Sequence, residues 1–240
     1  MTVAIVAAFV AAVARCAAFL HAAPVIGESF IPANIRLTVA AAMAAAITPL
    51  RGPLDPALLP VAIPSEIVVG ALAGLAARVV VAGAESAGQI IGLQIGLGFA
   101  ASYDPALGET ALAARRVAWC LAALAFVIAG GVEAAVPVLV GDAPAAVALA
   151  AGVRGLIDLG AGMFVAAVRL AAPAILAGLI ANLVMALASR AAPALNVFSV
   201  MLAGVLVVGG AVLIATAPAF IRDVAGIGRR AADAVSGVLP

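Results

Sequence analysis

The sequence predicts an all-α, membrane-associated protein made of helical hairpins with kinked helices that are rich in glycine and proline. Three observations lead to this fold class. Of the 240 residues, 67% are hydrophobic and only 10% are charged, and the mean hydropathy is +1.33. Soluble domains are about half apolar and about a quarter charged, so the excess apolar surface must face lipid or apolar neighbours. Apolar runs also follow one another along the chain, with short polar breaks between them.

The apolar runs are the candidate helices. They cover residues 3–26, 37–50, 67–83, 85–101, 117–140, 156–188 and 195–221. A helix needs about 20 apolar residues to cross about 30 Å of hydrocarbon, and several runs reach that length only with a charge inside them. We therefore expect about five to seven apolar helices, with the run 156–188 broken near Pro173.

The two ends of the chain differ: an apolar helix is predicted at the first and a charged tail at the second. The first run lacks a basic start, and Pro24 directly follows the faint cleavage signal at 22–23, so we expect a mature helix and not a cleaved signal peptide. A single membrane-embedded domain is predicted for residues 1–221. Residues 222–240 alternate charge with small apolar residues, which predicts a short charged tail with the pattern of a surface helix.

Composition and motifs argue against several functions. The net charge is +1, so the chain has no large excess of positive charge that would attract nucleic acid. The chain contains a single histidine, His21, and no zinc-protease, CxxC, esterase-elbow or phosphate-loop motif. Asp104 and Glu109 have no base or nucleophile beside them. We therefore predict no catalytic residue, no metal ligand and no cofactor, and we expect the protein not to be an enzyme.

Five charged residues lie within or beside apolar runs. They are Arg15, Glu66, Arg78, Glu133 and Arg169. Each would cost about 2.5–3.5 kcal/mol at a lipid-facing helix centre. A proton or ion pathway is one interpretation, and charge pairing within a packed assembly or snorkelling to the interface is the other. The second is favoured because the charges form no regularly spaced relay along one helix.

The most informative segment is rich in glycine. Gly88, Gly92 and Gly96 recur every four residues and therefore share one helix face. Small residues at this spacing let two helix backbones approach closely in a membrane. Gln89 and Gln94 add amides that should reach a neighbour, because they are costly in lipid. By itself the pattern indicates helix packing, most simply within the chain.

A polar stretch with two aromatic residues follows this segment. Phe99 and Tyr103 precede Asp104 and Pro105, and the residue before a proline avoids the helical conformation, so a helix should end here. The stretch is either a loop that plugs a pore or an ordinary turn with aromatic side chains at the membrane interface.

Three separated motifs resemble the signature of the flagellar biosynthetic protein FliR family and of its virulence-type relatives in type III secretion. The first is GQIIGLQIG at 88–96, followed by Phe-Ala at 99–100 and Asp-Pro at 104–105. The second is Asn182 followed by RAAPALNVF at 190–198, which contains Arg190 and Pro193. The third, upstream, combines Arg15, PVIG at 24–27, Pro32 and Arg36. The sequence departs from the family at Gln89, usually acidic, and at 201–204, where MLAG replaces the family's FPLK.

The resemblance implies an export-gate subunit. Such a subunit packs into a helical ring with FliP and FliQ homologues, in the inner membrane at the flagellar basal body. An FlhB homologue contacts the gate, and unfolded flagellar substrates pass through it. The loop 99–116 would be the pore plug, with Phe99, Tyr103, Asp104 and Pro105. The residues implied in helix packing and assembly are Gly88, Gln89, Gly92, Gln94, Gly96, Asn182, Arg190 and Pro193.

Two alternatives stay open. The virulence-type injectisome subunit shares nearly all of these motifs with its flagellar counterpart. A secondary transporter would also use broken helices with charges inside the membrane, although the sequence shows no convincing inverted repeat.

Overall fold

The computed structural model describes residues 2–94, 113–141, 146–191 and 197–236, and these residues form helices and turns without any β-strand. Its helices are α1 Thr2–Ala22, α2 Ala33–Arg51, α3 Leu59–Gln94, α4 Ala113–Ile128, α5 Val136–Val140, α6 Ala146–Ala191 and α7 Val197–Ser236. Short 3₁₀ turns at Pro56–Leu58 and Glu133–Ala135 precede α3 and α5. The predicted all-α fold class is therefore confirmed.

Several of these helices have the length and composition of membrane spans. Within the described residues, four helical segments are long and apolar enough to cross a bilayer: Val3–Ala22, Ala33–Arg51, Pro56–Gln94 and Gly152–Ala188. A fifth span arises if Ala114–Ile128 and Glu133–Val140 count as one segment, bent by 63°. Large apolar side chains are exposed along these helices, which is the surface expected of a chain that contacts lipid.

Two expected helix breaks are wrong. The runs 67–83 and 85–101 were expected as separate helices, but α3 continues through Glu85 to Gln94. The charge does not interrupt the helix, because the Glu85 carboxylate pairs with Arg115 of α4 at 2.6 Å. Likewise α6 continues through Pro173. A proline removes only one backbone donor, and long helices in apolar surroundings tolerate this loss.

The C-terminal helix passes through the predicted domain boundary. Helix α7 extends from Val197 to Ser236 without interruption at residues 221–222. The division into a domain at 1–221 and a tail at 222–240 stays a prediction, and the first part of the predicted tail is a continuation of a long helix.

The chain divides into two compact units. The first comprises Met1–Val81, Ala123–Gly162 and Ile227–Pro240, and the second comprises Ala82–Ala122 and Met163–Gly226. In the first unit Leu72 and Ala76 are buried against Leu156, Leu159 and Ala234. In the second unit Ile91, Ala171 and Ala174 are buried against Ile90, Ile175 and Phe220. Alanine is the commonest residue in both cores, which allows short distances between helix axes.

Candidate functional site: a buried charge cluster and a glycine-packed helix

Three charged side chains meet inside the first unit, and we call them the charge cluster: Arg15 of α1, Arg51 of α2 and Glu66 of α3. The Glu66 carboxylate accepts hydrogen bonds from Nε of Arg15 and from both terminal nitrogens of Arg51. The bond from Arg51 Nη1 to Glu66 Oε2 measures 3.1 Å. The exposed fractions of the side chains are 0% for Arg15, 3% for Glu66 and 10% for Arg51. One carboxylate therefore joins three helices.

Arg15 also reaches the end of α5. Its Nη1 donates to the carbonyl oxygens of Val138, at 2.7 Å, and of Gly141. A longer contact of 3.5 Å joins the same nitrogen to the carbonyl oxygen of Leu139. Carbonyls in the last turn of a helix have no partner within that helix, so a buried cation satisfies them well. The second terminal nitrogen, Nη2, is buried and has no hydrogen-bond partner among the described residues.

The cluster explains how charges are tolerated in apolar helices. A buried charge is stable only when a partner and further hydrogen bonds replace water. For Arg15 and Glu66 the structure confirms the charge-pairing interpretation. It does the same for Arg78, which pairs with Glu28 at 3.3 Å. Glu133 and Arg169 have exposed side chains, which suits positions that face a solvated or headgroup region.

Close helix packing brings the cluster together. A Cβ atom added to Gly70 of α3 would overlap the backbone of Arg15. One added to Gly74 would lie 2.6 Å from the carbonyl oxygen of Phe19 and 2.7 Å from Cβ of Ala22. Helix α1 can approach α3 only because these two positions have no side chain. Glu66 lies one turn before Gly70, and the close approach brings its carboxylate within reach of Arg15.

The sequence did not single out Arg51. It lies just outside the predicted run 37–50, although it is the last residue of α2. The available signal was its position, because a lone basic residue at the end of an apolar helix lies near a membrane surface and beside the helix C-terminus.

The glycine-rich end of α3 packs closely within the second unit. A Cβ atom added to Gly88 would lie 2.5 Å from Cβ of Ala118 and 2.6 Å from the carbonyl oxygen of Ala114, both in α4. Gly92 is also buried, whereas Gln89 is exposed. The side chain of Gln94 lies against Gly178 of α6, where an added Cβ would overlap its amide oxygen.

The other predicted site residues are exposed or lie outside the described residues. Asn182 and Arg190 are exposed on α6. Those outside are Gly96, Phe99, Tyr103, Asp104, Pro105 and Pro193. The structure thus places Gly88 in close contact with α4 and buries Gly92, and the assembly and plug roles stay predictions.

These features define a class: a multi-pass helical membrane protein whose helices are joined by buried ion pairs and by close approach at glycines. The chain belongs to the bacterial export proteins, family 1, which matches residues 6–229. This is the FliR and SctT family of type III export proteins, so the resemblance seen in the sequence is confirmed. The chain is therefore a subunit of a type III export apparatus in the bacterial inner membrane, and its family is a structural component of that apparatus. No curated protein matches its sequence significantly.

Proposed function

We propose that the chain is the FliR-type subunit of a flagellar type III export apparatus. In this proposal it forms part of the export pore with FliP and FliQ homologues at the basal body, and an FlhB homologue contacts the gate. The stretch predicted as the loop 99–116 plugs the pore, with Phe99, Tyr103, Asp104 and Pro105 in the plug. Its last four residues are not loop, because they form the first turn of α4, which begins at Ala113. The role is structural and gating, and involves no catalysis and no cofactor.

The plug assignment comes from the family resemblance, and one observation on the flanking helices supports it. Helix α3 ends at Gln94 and α4 begins at Ala113, and the two helices are in close contact at Gly88. The two described helices that flank the proposed plug therefore form a closely packed pair, which supports a fixed frame around it.

The proposed mechanism is occlusion. Aromatic and apolar groups in the plug exclude water from the pore, so that ions cannot pass while the gate is closed. Unfolded flagellar substrates pass when the plug moves aside. The energy for transport comes from other components of the apparatus, because the role proposed here includes no energy-converting chemistry.

Replacing both Phe99 and Tyr103 by glycine tests the plug. We expect cells that express the variant with its partners to become permeable to small dyes and ions, because the bulky side chains that seal the pore are gone. The matched control is Phe30→Gly, which removes an exposed aromatic side chain from the turn between α1 and α2. Unchanged permeability in an assembled complex would contradict the plug assignment.

Co-purification tests the assembly. The tagged full chain, co-expressed with the flagellar FliP and FliQ homologues of the same cell, should retain both through gel filtration. Retention of injectisome homologues in preference to flagellar ones would instead assign the chain to a virulence system. A chain that purifies alone, as a monomer or small symmetric oligomer, would contradict membership in the pore and favour the transporter interpretation.

A further inference from the structure

An apolar groove lies between α1 and α2, in the first unit. Its volume is about 550 Å³, within the range of about 300–1,000 Å³ that small-molecule sites occupy. The main lining residues are Ile5, Val6 and Phe9 of α1 and Ala45, Thr48 and Pro49 of α2. The only hydroxyl among these six, on Thr48, donates to the carbonyl oxygen of Ala44 at 2.6 Å and leaves the wall apolar. We call this cavity the α1–α2 groove.

The groove lies at one end of the helix pair. The backbone N–H of Leu54 donates to the carbonyl oxygen of Ala4 at 3.1 Å, so the start of α1 and the end of α2 are held together. Both helices are long and apolar enough to span the bilayer. At 1.5 Å per residue the lining segment of α2 extends about 9 Å inward from Arg51. If α2 spans the bilayer and ends at Arg51 near the surface, this segment lies in the outer part of one leaflet, whose hydrocarbon is about 15 Å thick.

A cationic site adjoins the groove. Gly52 and Pro53 line the groove and also a smaller cavity of about 160 Å³, and Arg51 and Glu66 line that smaller cavity. The charge cluster holds two guanidinium groups and one carboxylate, so it carries one surplus positive charge. Glu66 takes two of the five N–H groups of Arg51. A cation with donors that no described residue takes up therefore lies next to an apolar groove, at the depth where phospholipid head groups are expected if α2 spans the bilayer.

We propose that the α1–α2 groove binds an acyl chain of an anionic phospholipid and that the phosphate of this lipid lies beside Arg51. The apolar wall matches the chain, and the surplus charge of the cluster matches the phosphate. Basic pockets between transmembrane helices select anionic head groups in this way. The phosphate also offsets a charge that is costly in low-dielectric surroundings. This inference does not depend on the pore or plug assignments.

Quenching of a tryptophan placed in the groove tests the proposal. The only natural tryptophan, Trp119, lies in α4, so the full chain would carry Trp119→Phe together with Phe9→Trp. This double variant is reconstituted in two samples of phosphatidylcholine nanodiscs. One sample contains a small fraction of brominated phosphatidylglycerol, and the other contains the same fraction of brominated phosphatidylcholine. We expect the anionic lipid to bind about fivefold more tightly than phosphatidylcholine, as judged from the quenching. This is the effect of one arginine near a membrane surface. Equal quenching by both lipids would overturn the proposal.

Substitutions then separate the acyl chain from the head group. Ala45→Phe fills the groove and should abolish quenching by both lipids, whereas Ala46→Phe, on a neighbouring exposed alanine that does not line the groove, should leave it unchanged. Arg51→Gln should abolish the preference for the anionic lipid, so that both lipids bind about equally. Arg51→Lys should retain most of the preference, because the head group is recognised through charge. Absence of quenching by either lipid in a folded chain would show that protein covers the groove, and would overturn the proposal.

A salt series makes the test independent of variant stability. With the charge cluster intact, raising the salt from about 0.05 to about 0.5 M should reduce the anionic preference severalfold, because salt screens charges near the surface. A preference that does not change with salt would overturn the assignment of the phosphate to Arg51.

Discussion

The two units of the chain hold their helices together with the same two kinds of interaction, ion pairs and close approach at glycine, but the ion pairs differ in burial. In the first unit, Arg15 and Glu66 form an ion pair that is almost completely buried, and Gly70 and Gly74 permit close approach of α1 and α3. In the second unit, the ion pair between Arg115 and Glu85 has side chains that are 42% and 27% exposed, and Gly88 provides the close approach. Apolar helices in lipid have little hydrophobic drive to associate, so packing and polar bonds must supply it. The ion pair of the first unit is buried and that of the second is partly exposed, so the first unit should be more sensitive to loss of a charge.

The largest predicted effect is that of Glu66→Gln. This change leaves two arginines buried without a negative partner, and breaking a buried ion pair in this way costs about 3–5 kcal/mol. The free energy of unfolding, measured for the purified full chain in mild detergent by denaturant titration, should fall by this amount. A variant as stable as the natural chain would show that water or another anion already compensates the arginines.

Removing all three charges sharpens this result. Arg15→Met, Arg51→Met and Glu66→Leu together should recover much of the stability that Glu66→Gln loses, because apolar groups of similar volume often replace buried ion pairs at little cost. If the triple variant is stable and still supports export in cells, the cluster is structural. Stability without export would instead indicate that the charges take part in transport.

An intermediate effect is predicted for glycines at close helix contacts. Gly88→Ala should lower the free energy of unfolding by about 1–3 kcal/mol, because the added methyl group overlaps α4. The methyl group added by Gly204→Ala would meet no described atom within 4 Å, and this change should stabilise α7 by up to about 1 kcal/mol. In the first unit, Gly74→Ala and Gly155→Ala form the corresponding pair. Equal effects within either pair would contradict the close packing.

The smallest effect is predicted for Glu85→Gln. Its partner Arg115 is partly exposed, and ion pairs of this kind contribute about 0–1 kcal/mol. The same denaturant titration should show a loss of at most about 1 kcal/mol, well below that of Glu66→Gln. A loss as large as that of Glu66→Gln would mean that the second unit also depends on charge, and the contrast between the units would disappear.

The fold class and part of the helix packing could be predicted from the sequence. The apolar runs predicted long helices, because a long apolar segment must be removed from water whatever residues it later contacts. The spacing of Gly88 and Gly92 predicted a face of close approach, and the structure shows both residues buried, with α4 against Gly88. Both features depend on residues that are neighbours along one helix, where periodicity carries the information.

The charge cluster could not be predicted from the sequence, because its members are far apart along the chain. Arg15 and Glu66 are separated by 51 residues, and no local pattern links them to Arg51. The length of α3 was underestimated for a similar reason: Glu85 resembled a break until its partner on another helix was known. Phe99 and Tyr103 lie outside the described residues, so the plug still depends on the resemblance and on the helices that flank it.

The bonds of Arg15 also impose an order on biosynthesis. Arg15 can meet Glu66 as soon as the third helix is made, but the carbonyl group of Gly141 lies 126 residues after Arg15. At about 5–20 residues per second, a ribosome needs about 6–25 s to make that stretch. During this interval the first helices are in the membrane with an arginine that lacks its carbonyl partners. The N-terminal helices therefore reach their final arrangement only after more than half of the chain has been translated.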